Sequence, residues 1–300
     1  MHIHHINCGT DCPFGGALMD GRSKGPLGHL VCHCLIVETD QGLVLVDTGY
    51  GLKDVRRPHP RLPHAFKTLL NIRLREEETA IRQVEALGYR ASDVRHIVLT
   101  HLDFDHAGGI EDFPHARVHV MQAELQAVRN ERRGFIAKQR YRPLQFNDAV
   151  DWALYEPGAG ERWLGFDAVR NLDGLPPEIL MIPLPGHTRG HAGVAIKTSA
   201  GWLLHAGDAY FFRGEVRQPK RECPPGLRLY QNMMEVNRAQ RLENQRRLRQ
   251  LSLECRSSLR IVCAHDAVEF ERCVADSAGE TQLHGKLNRL EAAPMYGARP

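Results

Sequence analysis

The sequence lacks the features of a membrane or exported protein. No stretch approaches about 18 uninterrupted apolar residues, so we expect no segment that spans a bilayer. The amino terminus has no charged-then-apolar signal pattern, and we expect a cytoplasmic protein. Excess charge is also missing. The 39 basic and 36 acidic side chains leave a net charge of +3, which predicts no strong attraction to nucleic acid or anionic membranes.

Clustered cysteines are also absent. The eight cysteines are scattered along a chain that is 42% apolar, enough to bury a core without disulfides, so we expect reduced thiols. Cys32-His33-Cys34 has a spacing that metal ligands can have. It lies in an apolar stretch, where free cysteine most often packs as a small hydrophobic residue.

Short apolar runs alternate with amphipathic stretches, which indicates an α/β fold in a single domain over residues 1–290. The runs predict strands at 30–37, 43–47, 97–100, 117–121, 179–183, 193–198, 202–206 and 259–264. Helices are expected at 76–87, 122–129 and 231–252. Tight turns near Gly42 and Gly201 join two strand pairs, so the sheets should be mixed. Residues 130–178 are irregular and rich in aromatics, which predicts a lid or a pocket wall, and residues 291–300 should fray.

The strongest motif follows the predicted strand 97–100. His101, Asp103, Asp105 and His106 fall within six residues, and they are followed by Gly108 and Gly109, which suit a tight turn with room for an ion. Two imidazoles and two carboxylates are costly to bury without partners. A metal ion removes that cost, because these groups are preferred ligands of zinc and related cations.

Three further strands end in the same way. His187 follows strand 179–183, Asp208 follows strand 202–206 and His265 follows strand 259–264. Four strands that each deliver His or Asp at the carboxyl end predict one shared metal site on a rim of the sheets.

In these motifs and their order, the chain resembles the metallo-β-lactamase superfamily from about residue 30 to 270. The resemblance implies a four-layer αβ/βα sandwich with two mixed sheets flanked by helices. It also implies two divalent metal ions, most readily zinc. By position, His101 and His187 would bind the first ion, Asp105, His106 and His265 the second, and Asp208 both. Asp47, in a family-like Asp-Thr-Gly turn, would orient ligands without binding metal.

One position departs from the family motif, because Asp103 stands where its second histidine is expected. The flavodiiron members of the family carry a carboxylate there, so metal binding is retained in this interpretation. A carboxylate shifts preference toward harder ions such as iron or manganese. It also adds negative charge, which predicts a less acidic nucleophilic water. The alternative is that Asp103 does not bind metal and one site fills.

The resemblance implies metal-assisted hydrolysis, with a metal-bound hydroxide that attacks an electrophilic carbonyl or phosphorus. Asp105 would orient that water or receive its proton, and Asp208 would hold both ions. Tyr210 could polarise a substrate carbonyl, with a packed aromatic as the equal alternative. The similar lactonases have tyrosine one residue later, at the position of Phe211. His191 has two open interpretations: support of the ligands, or an ordinary loop residue.

Within the superfamily, the motifs are most similar to the acyl-homoserine-lactonase-like hydrolases. They favour a small-molecule lactone or ester of partly apolar character as substrate, with segment 130–178 as an apolar wall. Phosphodiesterase or ribonuclease activity is one alternative, favoured by the basic residues between Arg129 and Arg142, and thioesterase activity is another. A non-catalytic binding protein with a degraded metal site is the alternative from a different class. A homodimer remains an open alternative for the oligomeric state.

Overall fold

The computed structural model describes residues 1–130, 134–146, 149–156, 162–169 and 171–277. Among these residues, no helix has both the length and the apolar character needed to cross a bilayer. The predicted fraying of residues 291–300 and part of the segment 130–178 fall outside the described ranges.

Thirteen strands are present in the described ranges. They are β1 (His2–Asp11), β2 (Leu30–Thr39), β3 (Gly42–Val46), β4 (Ile72–Arg73), β5 (Val94–Val98), β6 (Arg117–Met121), β7 (Asp151–Tyr155), β8 (Arg162–Trp163), β9 (Phe166–Asp167), β10 (Ile179–Pro183), β11 (Ala192–Thr198), β12 (Gly201–His205) and β13 (Leu259–Val262). One sheet has the order β4-β1-β2-β3-β5-β6-β7, a second has the order β10-β11-β12-β13, and β8 and β9 form a small ribbon.

Both large sheets are mixed, as the hairpin turns predicted. In the first sheet, β1, β2 and β3 pair antiparallel, whereas β3, β5, β6 and β7 pair parallel. In the second sheet, β10, β11 and β12 pair antiparallel and β13 joins β12 in parallel. Strands β10, β12 and β13 therefore run in one direction, and their carboxyl ends meet at one edge.

The described ranges contain ten α-helices. They are α1 (Ala17–Asp20), α2 (Leu52–Arg56), α3 (Pro58–Arg61), α4 (His64–Leu70), α5 (Ala80–Ala86), α6 (Gln122–Asn130), α7 (Phe135–Arg140), α8 (Pro225–Met234), α9 (Arg238–Glu254) and α10 (267–277). Short 3₁₀ helices lie at Glu76–Glu78, Ala91–Asp93, Ile110–Asp112, Pro143–Gln145 and Arg213–Glu215.

Three apolar clusters establish the layers. The cluster between the two sheets joins side chains such as Val46 and Val98 to Met181 and Val262. A second cluster packs α5 and α6 on the outer face of the first sheet, and a third packs α9 on the outer face of the second. Burial of apolar area on three interfaces is the main stabilising term for this arrangement. The predicted four-layer sandwich is confirmed.

Two helices occupy the region where one was predicted at 231–252. α8 ends at Met234, and Asn237 caps α9, its side chain accepting a hydrogen bond from the backbone N–H of Gln240 at 3.1 Å. The backbone N–H groups of Val236 and Asn237 both donate to the carbonyl of Gly186 at 2.9 Å. The break between α8 and α9 therefore supports the loop that carries His187.

Segment 130–178 is more regular than predicted. Its described parts contain α7, the edge strand β7 and the β8–β9 ribbon. Trp163 packs against Trp202 with ring centroids 5.4 Å apart, and Phe146 packs against Trp152 at 5.9 Å. These four aromatics belong to the outer cores of the two sheets, so the three of them in this segment are not the part of it that could form the predicted pocket wall.

His119 is a buried histidine of β6. Its Nδ1 lies 2.8 Å from the hydroxyl of Tyr155, and its Nε2 lies 2.9 Å from Nδ1 of His96. Burial, followed by the charges of His96 and Arg117, lowers the pKa of His119 to about 3. The folded protein therefore keeps this ring neutral at a pH where the unfolded chain protonates it.

We expect the free energy of unfolding to fall as pH decreases from 6.5, the ordinary pKa of histidine, toward 4. At pH 4, protonation of His119 in the unfolded chain should lower the free energy of unfolding by about 3 kcal/mol, because one pKa unit corresponds to about 1.4 kcal/mol. Urea denaturation at several pH values should show a shallower pH dependence for His119→Phe than for the wild type. His115→Phe, at an exposed position, is the matched control. Equal slopes for wild type and His119→Phe would contradict this role.

Candidate metal centre

The structure places all seven predicted ligand residues in one buried cluster where strands of the two sheets end. The loop after β5 contributes four of them, and the loops after β10, β12 and β13 contribute one each. None of the seven is more than 8% exposed. They are His101, Asp103, Asp105, His106, His187, Asp208 and His265.

Four ligand atoms surround one point in the cluster and form what we call the first set. They belong to His101, His187, Asp103 and Asp208. Asp103 Oδ2 lies 3.4 Å from His101 Nε2 and 3.1 Å from His187 Nε2. Asp208 Oδ2 lies 3.6 Å and 3.3 Å from the same two nitrogens. An ion about 2.1 Å from each atom would hold tetrahedral ligands about 3.4 Å apart, so these distances suit a metal ion.

A second set of four atoms lies on the other side of Asp208. Its Oδ1 is 3.4 Å from His106 Nε2 and 3.1 Å from His265 Nε2. Asp105 Oδ2 lies 3.8 Å and 3.7 Å from the same nitrogens. The two oxygens of Asp208 therefore face different sets, as a bridging ligand requires.

Hydrogen bonding tests whether metal ions fit these two sets. Within the part of the chain that the structure describes, His101 Nε2, His106 Nε2 and Asp208 Oδ1 are buried without a hydrogen-bond partner. A buried polar atom left unpaired is costly. All three point into the sets described above, so bound cations would satisfy them. The donor types, imidazole and carboxylate, are those that zinc, iron and manganese accept.

Asp47 orients histidines on both sides of the cluster. Its Oδ2 accepts from His106 Nδ1 at 2.8 Å and from the Thr100 hydroxyl at 2.7 Å. The same hydroxyl lies 2.9 Å from His101 Nδ1, which donates to it. Both rings are thereby fixed with Nε2 directed at the cluster. Sequence reasoning predicted this supporting role for Asp47.

Replacing Asp47 with asparagine should weaken metal binding at both sites by roughly 10- to 100-fold, the usual effect of losing such a partner. The amide presents a donor where His106 Nδ1 and Thr100 need an acceptor. Competition with a chromophoric chelator measures the affinities. Asp40→Asn, in the exposed turn after β2, is the matched control and should leave them unchanged. An unaltered affinity in Asp47→Asn would contradict the orienting role.

The charges of the cluster are strongly coupled. Burial alone would raise the pKa of Asp208, but His265, His106 and His187 hold it well below its usual range. Burial would lower the pKa of His265, but Asp208 and Asp105 raise it to about 9. Burial and nearby carboxylates raise the pKa of Asp105. The cluster is built for a positive charge, which protons on histidine supply in part and metal ions would supply fully.

Arg140 is a member of this site that sequence reasoning placed on a basic surface. Its guanidinium is buried, and Nε and Nη2 contact the two oxygens of Asp103 at 2.7 and 2.6 Å. Burial would raise the pKa of Asp103, but Arg140 and His101 hold it well below its usual value. The positive charge of Arg140 offsets the negative charge that Asp103 adds. The negative charge of Asp103 therefore no longer predicts a less acidic nucleophilic water.

Two more buried side chains hold the ligand loops in place. Glu124 of α6 accepts from the backbone N–H of Leu102 and of Gly190, both at 3.0 Å, and so ties together the loops of His101 and His187. His191 Nε2 accepts from the backbone N–H of Asp208 at 2.8 Å. His191 therefore supports a ligand, one of its two predicted interpretations. Glu124 gave no signal in the sequence, because glutamate in the first turn of a helix is common.

Cys32 lies beside the cluster, whereas the sequence favoured a role for it as a small hydrophobic residue of the core. Its Sγ and ligand atoms of Asp105 and His265 all lie within 4.8 Å of one another. Burial, together with Asp11 and Asp105, raises the pKa of the Cys32 thiol well above its usual value. Cys34, two residues on, packs in the core of the first sheet, as predicted. Cys32 therefore lies beside Asp105 and His265 as a protonated thiol.

Tyr210 does not take part in the cluster. Its ring is fully buried and its hydroxyl donates to Glu269 Oε2 at 2.9 Å, so it is the packed aromatic of the two alternatives. The catalytic role predicted for it is not supported. Phe211 instead stacks on His265 with ring centroids 4.8 Å apart, and the half-buried Tyr230 contacts Phe211 at 6.0 Å.

Gly108 has a different role from the predicted one. A Cβ at this position would lie 2.4 Å from Asp54 Oδ2 and 2.6 Å from the Gly49 carbonyl oxygen. Glycine is therefore required for the close approach of two loops. It does not make room for an ion.

The family model for the metallo-β-lactamase superfamily matches residues 27–260. The chain belongs to this superfamily. With candidate metal-binding residues clustered at the strand ends, it is a metallo-hydrolase of the superfamily.

Relatives within the superfamily are metallo-hydrolases and lactonases. A probable metallo-hydrolase of Mycobacterium tuberculosis is 42% identical over 266 residues, 89% of this chain and 80% of its own. An N-acyl homoserine lactonase of Bacillus cereus is 24% identical over 198 residues, 64% of this chain and 71% of its own. A solved N-acyl homoserine lactone hydrolase, with product at its catalytic metal centre, has a TM-score of 0.67 at 20% identity and covers 91% of this chain and 97% of its own. That structural likeness supports the fold.

Proposed function

We propose that this metallo-hydrolase opens a lactone or cleaves an ester of a small, partly apolar molecule, using two divalent metal ions, most readily zinc. The observation that supports it best is Asp208, whose two oxygens face two separate sets of ligand atoms. The lactonase relatives support the substrate class.

Each residue of the cluster has a separate role in the proposed hydrolysis. Bound divalent ions supply Lewis acidity and an activated water. Asp105 has Oδ2 beside His106 and His265, where it would orient an attacking water or accept its proton. Asp208 keeps the two sides at a fixed separation. Asp47 prevents the histidine rings from rotating out of place.

The apolar part of the substrate is proposed to lie against three helices near the cluster. Phe66 and Leu70 of α4, Ile136 of α7 and Tyr230 of α8 pack in one apolar cluster that also contains Cys32 and Phe104. On the same helices, Leu69, Phe135, Leu229 and Met233 are 51%, 64%, 71% and 41% exposed. A mostly apolar surface beside a few polar groups is typical of small-molecule sites.

Two of the arginines that favoured the nuclease alternative no longer support it, because they contact groups of the protein itself. Arg140 is turned inward onto Asp103. Arg142 donates to the backbone carbonyls of Pro60, Arg61 and Lys138. Phosphodiester recognition needs cations on an accessible surface, and these two arginines are engaged by the protein itself.

The test pairs elemental analysis of protein purified without added metal with hydrolysis assays. N-acyl homoserine lactones, aryl esters, thioesters and phosphodiesters serve as substrates. We expect bound metal, with lactone or ester turnover that chelation abolishes and metal restores. Turnover of thioesters or phosphodiesters alone would replace the substrate class. Protein that binds no metal and hydrolyses none of the four would favour the binding-protein alternative.

A further inference from the structure

The two sets of ligand atoms differ in their neighbours: in the described ranges, only the first has an arginine within hydrogen-bond distance. Arg140 Nη2 contacts Asp103 Oδ2 at 2.6 Å and also His187 Nε2 at 2.7 Å. Those two acceptor atoms are 3.1 Å apart, so the three atoms form a compact triangle. Nη1 of the same guanidinium donates to the carbonyls of Met234 and His187, which fixes its position.

The contact to His187 competes with metal binding. Guanidinium nitrogens only donate, so His187 Nε2 must accept with its lone pair. That lone pair is the one that would bind an ion of the first set. Nδ1 of His187 has no hydrogen-bond partner among the described residues. No hydrogen bond at that nitrogen therefore keeps the ring turned with Nε2 toward the first set.

The second set has the opposite arrangement. His106 Nδ1 donates to Asp47, and His265 Nδ1 donates to the carbonyl of Val31, both at 2.8 Å. Both Nε2 atoms are thereby directed at Asp208 Oδ1, and His106 Nε2 is unpaired. An ion entering this set meets no guanidinium of the described residues within hydrogen-bond distance of its ligand atoms and finds its imidazoles already oriented.

We propose that Arg140 makes the two metal sites unequal, so that the second site binds its ion tightly and the first binds weakly. The inference rests on the proposed metal-dependent function and adds a residue that sets its metal stoichiometry. An ion in the first set meets a cation a few ångströms away and must take over acceptors that Arg140 uses. The negative charge of Asp103 offsets most of this repulsion, and we expect a remaining difference in affinity on the order of 100-fold.

The experiment is titration of chelator-stripped protein with Zn²⁺ by calorimetry, checked by equilibrium dialysis and elemental analysis. Wild type should bind one tight equivalent and a second that is about 100-fold weaker. Arg140→Met should bind two equivalents of similar, high affinity. Arg140→Lys keeps the positive charge in a similar side-chain volume and should resemble the wild type.

A further variant keeps the test valid if Arg140→Met folds poorly. Asp103→His combined with Arg140→Met removes the cation and its partner together and supplies a neutral ligand, and it should also bind two tight equivalents. Two equally tight sites in the wild type would overturn the inference while leaving the hydrolase proposal intact. So would a weak first site that persists in the folded variants without Arg140. A wild type that binds no Zn²⁺ would overturn the proposed function as well.

Discussion

Replacing Asp208 with asparagine should lower kcat/KM for a lactone or ester substrate by on the order of 10³-fold. The carboxylate faces both sets of ligand atoms, with Oδ1 3.1 Å from His265 Nε2 and Oδ2 3.3 Å from His187 Nε2. An amide has one acceptor, so one set would face N–H donors instead. A catalytic metal ion contributes several kcal/mol of transition-state stabilisation, and about 1.4 kcal/mol is a tenfold change in rate.

Steady-state kinetics with parallel metal analysis measures this effect. Asp112→Asn is the matched control: Asp112 is a mostly buried carboxyl outside the cluster that accepts from the backbone N–H of Leu52 at 2.8 Å, and burial raises its pKa to about 6. An uncharged amide can keep that hydrogen bond, so activity should be retained. Full activity and unchanged metal content in Asp208→Asn would rule out a bridging role.

Replacing Asp103 with leucine should lower the free energy of unfolding of the metal-free protein by about 3–5 kcal/mol, the usual effect of breaking a buried ion pair. The change leaves the guanidinium of Arg140 buried without its anion. Both side chains are almost completely inaccessible, so water cannot replace the lost partner. Urea denaturation in the presence of a chelator measures the loss.

A double variant separates the ion pair from the packing around it. Asp103→Leu with Arg140→Met removes both charges, and most of the lost stability should return. Recovery will be incomplete, because Arg140 also donates to the carbonyls of Met234 and His187. If the two single variants lose less than about 1 kcal/mol each, the pair is not the strong buried interaction that its geometry indicates.

The sequence predicted the ligands because they follow buried strands. His101, His187, Asp208 and His265 each come three or four residues after the end of a strand, and the ends of these strands meet where the two packed sheets share a rim. The two mixed sheets could be predicted for a similar reason, since Gly42 and Gly201 mark the hairpins. What these residues share is a local signal, a polar side chain or glycine directly after an apolar run.

Arg140 and Glu124 could not be predicted in the same way. In sequence, each is one more charged residue in a helix, and most charged residues of helices face solvent. Their burial depends on partners far along the chain, since Arg140 pairs with Asp103 and Glu124 pairs with backbone groups of Leu102 and Gly190. The break between α8 and α9 was missed because Leu242, Leu248 and Leu251 continue the helical period beyond it.

Glu124 has a consequence for the order of events in the cell. With Asp47 and His191, it holds the loops of the cluster through hydrogen bonds between protein groups alone. We therefore expect the chain to complete its fold before any ion arrives, unlike small domains that fold only around their metal. An ion would then enter a finished protein, so the supply of each metal when the enzyme matures would decide which one the proposed centre carries. Cells grown on different metal supplies should yield the same fold with different occupants.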